Sequence, residues 1–177
     1  MVLSDTEIRA ALDDNRLKID PYPGERIGPS SVDLLLHPSL RILPSPDEVR
    51  GVSIDPREVQ VANLISQQPE HRLDRDGPCK MRHGQVIIGK TLETIALPVD
   101  LAGRIEGKSS LARLGLAVHI TAPTIQAGFR GSLVLEMYNA GPWTLELTEG
   151  MQIAQVIFEQ MGSRPSQGYQ GQFQDQR

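Results

Sequence analysis

The chain has 177 residues, enough for one domain with a sizeable core and too few for two comfortable ones. Its 18 Lys+Arg against 22 Asp+Glu leave a net charge of −4, which argues against a protein whose main business is coating nucleic acid or an anionic membrane. A single cysteine, Cys79, can neither close a disulfide within the chain nor supply a two-cysteine zinc site.

The 16 glycines and 13 prolines favour a turn-rich β protein over a helical bundle. No apolar run approaches 18 residues, and the opening MVLSDTEIR lacks the basic-then-apolar form of a signal peptide. The expectation is one soluble, cytoplasmic domain over residues 1–177.

Residues 1–20 read as a short N-terminal helix. Ser4 followed by Glu7 is a capping box, and Ile8, Ala11 and Leu12 then share a face. After Asn15 the helical signal stops, and Pro21, Pro23, Gly24 and Pro29 cut the chain into turns. SVDLLLH, from Ser31, is an apolar burst of strand length. Residues 44–80 hold five prolines and many charges, and read as an irregular excursion with room for one short helix or hairpin.

The second half changes character. QVIIGKTLETIAL (85–97) is rich in β-branched residues and ends in a PVD turn. Strand-sized runs then recur about every 10 residues with glycine or proline between them, the spacing of a β-sandwich or barrel. Residues 162–177 are polar and glutamine-rich, a tail expected to be mobile by itself and to order on a ligand or a neighbouring subunit.

AGRIEGKS, Ala102 to Ser109, fits a loosened phosphate-loop pattern. A phosphate loop feeds a long helix whose N-terminus holds the phosphates. Here one or two helical turns at most fit before Gly115, and strands resume at once. The P-loop reading is therefore rejected, although Lys108, Ser109, Ser110 and Arg113 remain a plausible polyphosphate grip in another fold.

From Gly107 the chain reads GKSSLARLGLAVHITAPTIQAGFRGSLVLEMYN, and later GMQIAQVIF. This ordered set resembles the dCTP deaminase branch of the dUTPase-like superfamily, as does the opening LSDTEIRAAL…RIGPSSVDLLL. The resemblance covers most of the chain outside 44–80. It implies a mainly β fold, a distorted barrel or jelly-roll with a short N-terminal helix. It also implies a homotrimer with active sites between subunits. The expected reaction turns dCTP and water into dUTP and ammonia, with magnesium carried on the triphosphate and dTTP as a candidate inhibitor. No nucleic acid or membrane partner is expected.

Adding water at C4 of cytosine requires an activated water, and zinc deaminases use a metal held by His and paired Cys ligands. One cysteine and four scattered histidines cannot supply that signature. The task falls to a positioned carboxylate acting as base and proton shuttle. Glu136 is the candidate, a charge mid-strand in Leu133-Val134-Leu135-Glu136-Met137-Tyr138. Its companions on that strand face, Val134 and Tyr138, are poor solvent-facing partners.

The resemblance places Ser109 and Arg113 beside Glu136 as catalytic residues, the hydroxyl holding water or the exocyclic amine and the guanidinium stabilising developing charge. Lys108 and Ser110 match phosphate contacts. Backbone carbonyls near Ile120 and Ala122 match groups that position the water. Gln126, Val134 and Gln155 match substrate-facing positions, and Tyr169 and Gln172 match a tail that closes over the nucleotide. His119 is expected to be a hydrogen-bonded structural histidine.

Three positions depart from the family. Gln126 stands where the superfamily usually carries Asp, and an amide cannot accept the proton of a water attacking phosphorus, which disfavours a diphosphatase. Pro123 replaces the glycine usual in bifunctional relatives, and Gly168 replaces a tail lysine. Two other readings stay open: a bifunctional deaminase/diphosphatase or dUTPase forming dUMP, and a non-catalytic nucleotide-binding regulator.

Overall fold

The computed structural model describes residues 1–176. In chain order the elements are α1 (Asp5–Asp13), β1 (Lys18–Asp20), a 3-10 turn at Gly24–Arg26, β2 (Val32–Leu35) and β3 (Ser39–Ile42). There follow α2 (Val61–Ser66), β4 (Glu70–Arg72), α3 (Leu73–Asp76), β5 (Cys79–Met81), β6 (Val86–Ala96) and β7 (Leu101–Gly107). The last group is α4 (Ser109–Ala112), β8 (Leu116–Ala117), β9 (Thr124–Ile125), β10 (Arg130–Asn139), β11 (Leu145–Leu147) and β12 (Gln152–Gln160).

The helix α1 forms where the capping box predicts. Ser4 Oγ accepts the Glu7 N–H, and the Glu7 carboxylate accepts the Ser4 N–H at 2.8 Å, so two orphan donors are satisfied together. Ile8, Ala11 and Leu12 are buried on its inner face. The helix ends at Asp13, earlier than the 1–20 span read from sequence, and Lys18–Asp20 instead pairs as a strand with β6.

The strands build two main sheets, and every pair among the named strands is antiparallel. One sheet runs β4-β3-β6-β10-β8, with β1 also on β6; the other runs β2-β12-β7-β9. β5 and β11 form a separate ladder. The apolar faces of both sheets meet in one core that includes Leu34, Ile87, Leu135, Met137, Val156 and Phe158, all essentially inaccessible to water. Burial of such side chains contributes roughly 1.5–3 kcal/mol each before entropy is charged against it.

The 44–80 segment is less irregular than its composition suggests. Val61–Ser66 is the short helix the apolar run allowed, but Leu73–Asp76 adds a second helical turn, Glu70–Arg72 adds an edge strand to β3, and Cys79 opens β5. Proline and charge mask these strands because each is three residues long, too short to show a period. The segment read as a mobile tail is laid along the body: Tyr169 N–H donates to Ala127 O at 2.8 Å, and Ser132 N–H donates to Gln176 O at 3.0 Å. Backbone pairing of this kind is invisible in a polar, glutamine-rich composition.

Candidate active site

Two glycines allow the Gly-Lys-Ser-Ser turn. β7 ends at Gly107, and α4 makes a single turn in which the Leu111 and Ala112 N–H groups donate to Lys108 O and the Arg113 N–H donates to Ser109 O. Gly115 closes it at φ +97°, crossing Gly141 so closely that a Cβ there would overlap the Gly141 backbone. A long helix is sterically shut out, which disposes of the phosphate-loop architecture.

Beside this turn lies a hollow of about 210 Å³ lined by Gly107, Lys108, Ser109, Ser110 and Gln155. Gln155 is fixed from both sides, accepting from Ser31 Oγ at 3.3 Å and donating to Gly107 O at 3.4 Å. Lys108 is not a loose cation. Its Nζ lies 2.5 Å from Asp33 Oδ2 and donates to Gln152 Oε1 at 3.2 Å, so the local positive charge read from sequence is offset by a carboxylate. Hydroxyls, an amide and an ammonium at one hollow are donors suited to phosphate oxygens.

A second hollow, of about 480 Å³, opens between Ala102, Thr124, Gln126 and the tail residues Gly168, Tyr169 and Gln170. Tyr169 is anchored by its ring, tilted 53° against Phe129 at a centroid distance of 6.0 Å. Gln126 is exposed at its edge.

Glu136 sits on the side of β10 away from the core. Val134, Glu136 and Tyr138 point outward, while Leu135 and Met137 are fully buried. Across the ladder they face Lys90, Ile88 and Val86 of β6. The register slips between Ser132, opposite Thr94, and Val134, opposite Lys90. Thr91 satisfies that irregularity by accepting the Leu133 N–H at 3.0 Å and donating to Glu93 O at 2.8 Å. The carboxylate is therefore half-buried among Val134, Tyr138 and Ile88. Among the described residues it has no hydrogen-bond or ion-pair partner.

The structure thus sorts the sequence-derived residues into three groups. Lys108, Ser109, Ser110 and Gln155 share the first hollow, Gln126 and Tyr169 the second, and Val134 and Glu136 the outer face of β10. Arg113, Ala122 and Gln172 are exposed and line neither hollow. His119 departs from expectation: its Nδ1 is buried without a hydrogen-bond partner among the described residues.

Sequence reasoning missed Asp33 and the pair behind it. Glu93 is fully buried and paired with Arg26, while its Oε2 accepts the Leu35 N–H at 3.0 Å. Arg26 also donates to Asp33 O at 2.9 Å. The available signal was a lone charge inside SVDLLLH.

Residues 2–161 match the family described as dCTP deaminase-like. A dCTP deaminase of Rhodospirillum rubrum is 39% identical over 171 residues, covering 96% of this chain and 87% of that relative. A Mycobacterium sp. (strain KMS) relative named dCTP deaminase, dUMP-forming, is 40% identical over 171 residues, covering 96% and 85%. The crystal structure of 2′-deoxycytidine 5′-triphosphate deaminase from Agrobacterium tumefaciens superposes with a TM-score of 0.68 at 24% identity, over 89% of this chain and 47% of that one, so this chain spans under half its length. A dUTPase variant from Staphylococcus bacteriophage 80alpha superposes with a TM-score of 0.53 at 10% identity, over 89% of this chain and 92% of that one. At these identities both likenesses speak for the fold, which is dUTPase-like. The matched span and the level of identity to curated relatives settle the family: this chain belongs to the dCTP deaminase-like proteins.

Proposed function

We propose that the chain is an enzyme that deaminates dCTP hydrolytically, converting dCTP and water to dUTP and ammonia without zinc. The observation that carries this reading is Glu136, a carboxylate half-buried between Val134 and Tyr138 on its strand face and without a partner among the described residues. Such a group takes a proton from water as the oxygen adds to C4. It passes protons to N3 and to the departing amine as the C4–N4 bond breaks. The relatives named dCTP deaminase support the substrate.

Ser109 and Arg113 act on the same substrate in this reading, the hydroxyl holding the water or amine and the guanidinium stabilising the tetrahedral intermediate. Ser109 is exposed at the start of α4 and Arg113 at its C-cap, and among the described residues neither bonds to Glu136. An exposed half-site on α4 and an exposed half-site on β10 support assembly between copies, which we take to be a homotrimer. The triphosphate occupies the hollow of Lys108, Ser109, Ser110 and Gln155. Those donors suit phosphate oxygens, so magnesium in this reading comes bound to the nucleotide and supplies charge neutralisation there. Ala122, Gln126 and Val134 face the nucleoside, and Tyr169 and Gln172 close over it. A free, buried Cys79 supports a reducing, cytoplasmic setting, and dTTP, which shares the deoxyribose and triphosphate, is the candidate inhibitor.

A second reading has one specific support: several relatives at about 40% identity are named dUMP-forming. The amide of Gln126 opposes it, because an amide cannot take the proton of a water attacking phosphorus. Chromatography of the products from dCTP and from dUTP decides. Equimolar dUTP and ammonia support the proposal, dUMP with pyrophosphate replaces it with the second reading, and nucleotide binding without ammonia makes the chain a regulator.

A further inference from the structure

Asp33 is the one charge in the run Ser31 to Leu36, and the proposed chemistry gives it no part. Its carboxylate and the Lys108 ammonium are mostly covered, with side chains 25% and 20% exposed. Lys108 lines the 210 Å³ hollow, whose lining does not include Asp33. The ammonium has three N–H donors. Asp33 and Gln152 take two, and among the described residues the third has no partner.

Asp33 is itself held firmly. Arg26 grips its carbonyl, the buried Glu93 grips Arg26 and the Leu35 N–H, and Gln155 stands directly opposite Asp33 in the β2–β12 ladder. The backbone is thus pinned at Asp33 and two residues beyond it.

Two effects compete at such a site. A carboxylate repels a polyphosphate, while a lysine already ordered by folding loses less rotamer freedom when it binds one. Here the carboxylate is neutralised by the ammonium at contact distance, so orientation outweighs repulsion. We propose that Asp33 is a positioning residue, holding Lys108 Nζ at the rim of the hollow with one N–H left for the phosphate chain. The inference rests on the dCTP reading above and gives that site a residue that acts through Lys108.

The test uses the full chain, with Asp33→Asn, Lys108→Met and the double substitution. Asp33→Asn should raise KM for dCTP about tenfold with kcat changed less than twofold, and weaken calorimetric binding of inorganic tripolyphosphate by a similar factor. The urea midpoint should stay near wild type, since the amide keeps the shape of the carboxylate. In the Lys108→Met background Asp33→Asn should add nothing, whereas a merely structural role would act in both backgrounds. Unchanged or tighter tripolyphosphate binding, or an equal loss in both backgrounds, overturns the inference. If wild type releases no ammonia from dCTP, the proposed function fails, and the tripolyphosphate cycle still decides the role of Asp33.

Discussion

Gly128 and Gly168 cross so closely that a Cβ on Gly128 would stand 2.8 Å from the Gly168 Cα. Gly128 also holds φ at +83°, a region that side chains rarely adopt. Beside the crossing, Tyr169 N–H bonds to Ala127 O and Gln174 Nε2 donates to Gly128 O at 3.2 Å. A Cβ on Gly168 would press on Val99 Cγ1 at 3.0 Å, so the lysine that the family resemblance leads one to expect there would need the Val99 side chain to shift by a few tenths of an ångström.

Gly128→Ala therefore unseats the tail while sparing the core. The strain is about 1–3 kcal/mol, enough to raise chymotryptic cutting at Tyr169 and Phe173 about tenfold where cleavage reads the open population. KM for dCTP should rise with it. Cutting at the wild-type rate would show that the crossing does not fasten the tail.

A pH dependence follows from His37. Its Nδ1 accepts the Ser39 N–H at 3.1 Å, a bond only the neutral ring can accept. Burial first, then the charges of Lys90 and Arg72, hold its pKa below the ordinary value, against a smaller opposing pull from Asp74. Because the folded pKa is depressed, the unfolded chain takes the proton more readily. The contribution is complete above the unfolded pKa of about 6.5 and is lost as pH falls from there toward the folded value. Urea midpoints measured from pH 7 down to pH 5 should fall more steeply in wild type than in His37→Asn, whose amide oxygen can accept the same bond at every pH. Parallel slopes would remove His37 from the account.

Much of the fold was legible because its signals are local. The Ser4–Glu7 cap, the β-branched run of β6 and the outward alternation of Val134, Glu136 and Tyr138 each lie within a few neighbouring residues. Arg26–Glu93 and Asp33–Lys108 were not legible, since each joins residues far apart in the chain. In β6, apolar residues stand on both faces (Ile87 and Ile95 inward, Ile88 and Leu92 outward), so nothing in the sequence marked Glu93 as inward. The same limit applies to the site: it was readable where Lys108, Ser109 and Ser110 are consecutive, and not where the hollow depends on what β2 brings to it.

Removing Arg26 should cost far more than removing the charge of Glu93. Glu93 is wholly buried, and without Arg26 its carboxylate keeps a bond to the Leu35 N–H but loses its counter-charge. Breaking a buried pair from one side typically costs about 3–5 kcal/mol because it strands a charge, and Arg26, partly exposed and bonded to Asp33 O, is stranded less completely than Glu93. Arg26→Met should shift the urea midpoint strongly downward, and Glu93→Gln should shift it by less than half as much. A larger loss in Glu93→Gln would mean that the carboxylate is held mainly by bonds other than that to Arg26.

Glu136→Gln should lower ammonia release from dCTP by at least about 10²–10⁴-fold, the range for loss of a general acid–base group. It should leave calorimetric dCTP binding and the urea midpoint close to wild type, because the side chain is half-exposed and has no hydrogen-bond or ion-pair partner among the described residues. Arg113→Ala should be similarly impaired, the residue being exposed at the C-cap of α4. If the two residues serve one site from different subunits, mixing the two inactive variants through unfolding and refolding restores sites that hold both intact groups. Random assortment returns up to about a quarter of wild-type activity, because a site then needs Glu136 from one parent and Arg113 from the other. No recovery on mixing places both groups in one subunit's site and removes the support for a shared trimeric centre. Full ammonia release from Glu136→Gln removes the carboxylate from the reaction altogether.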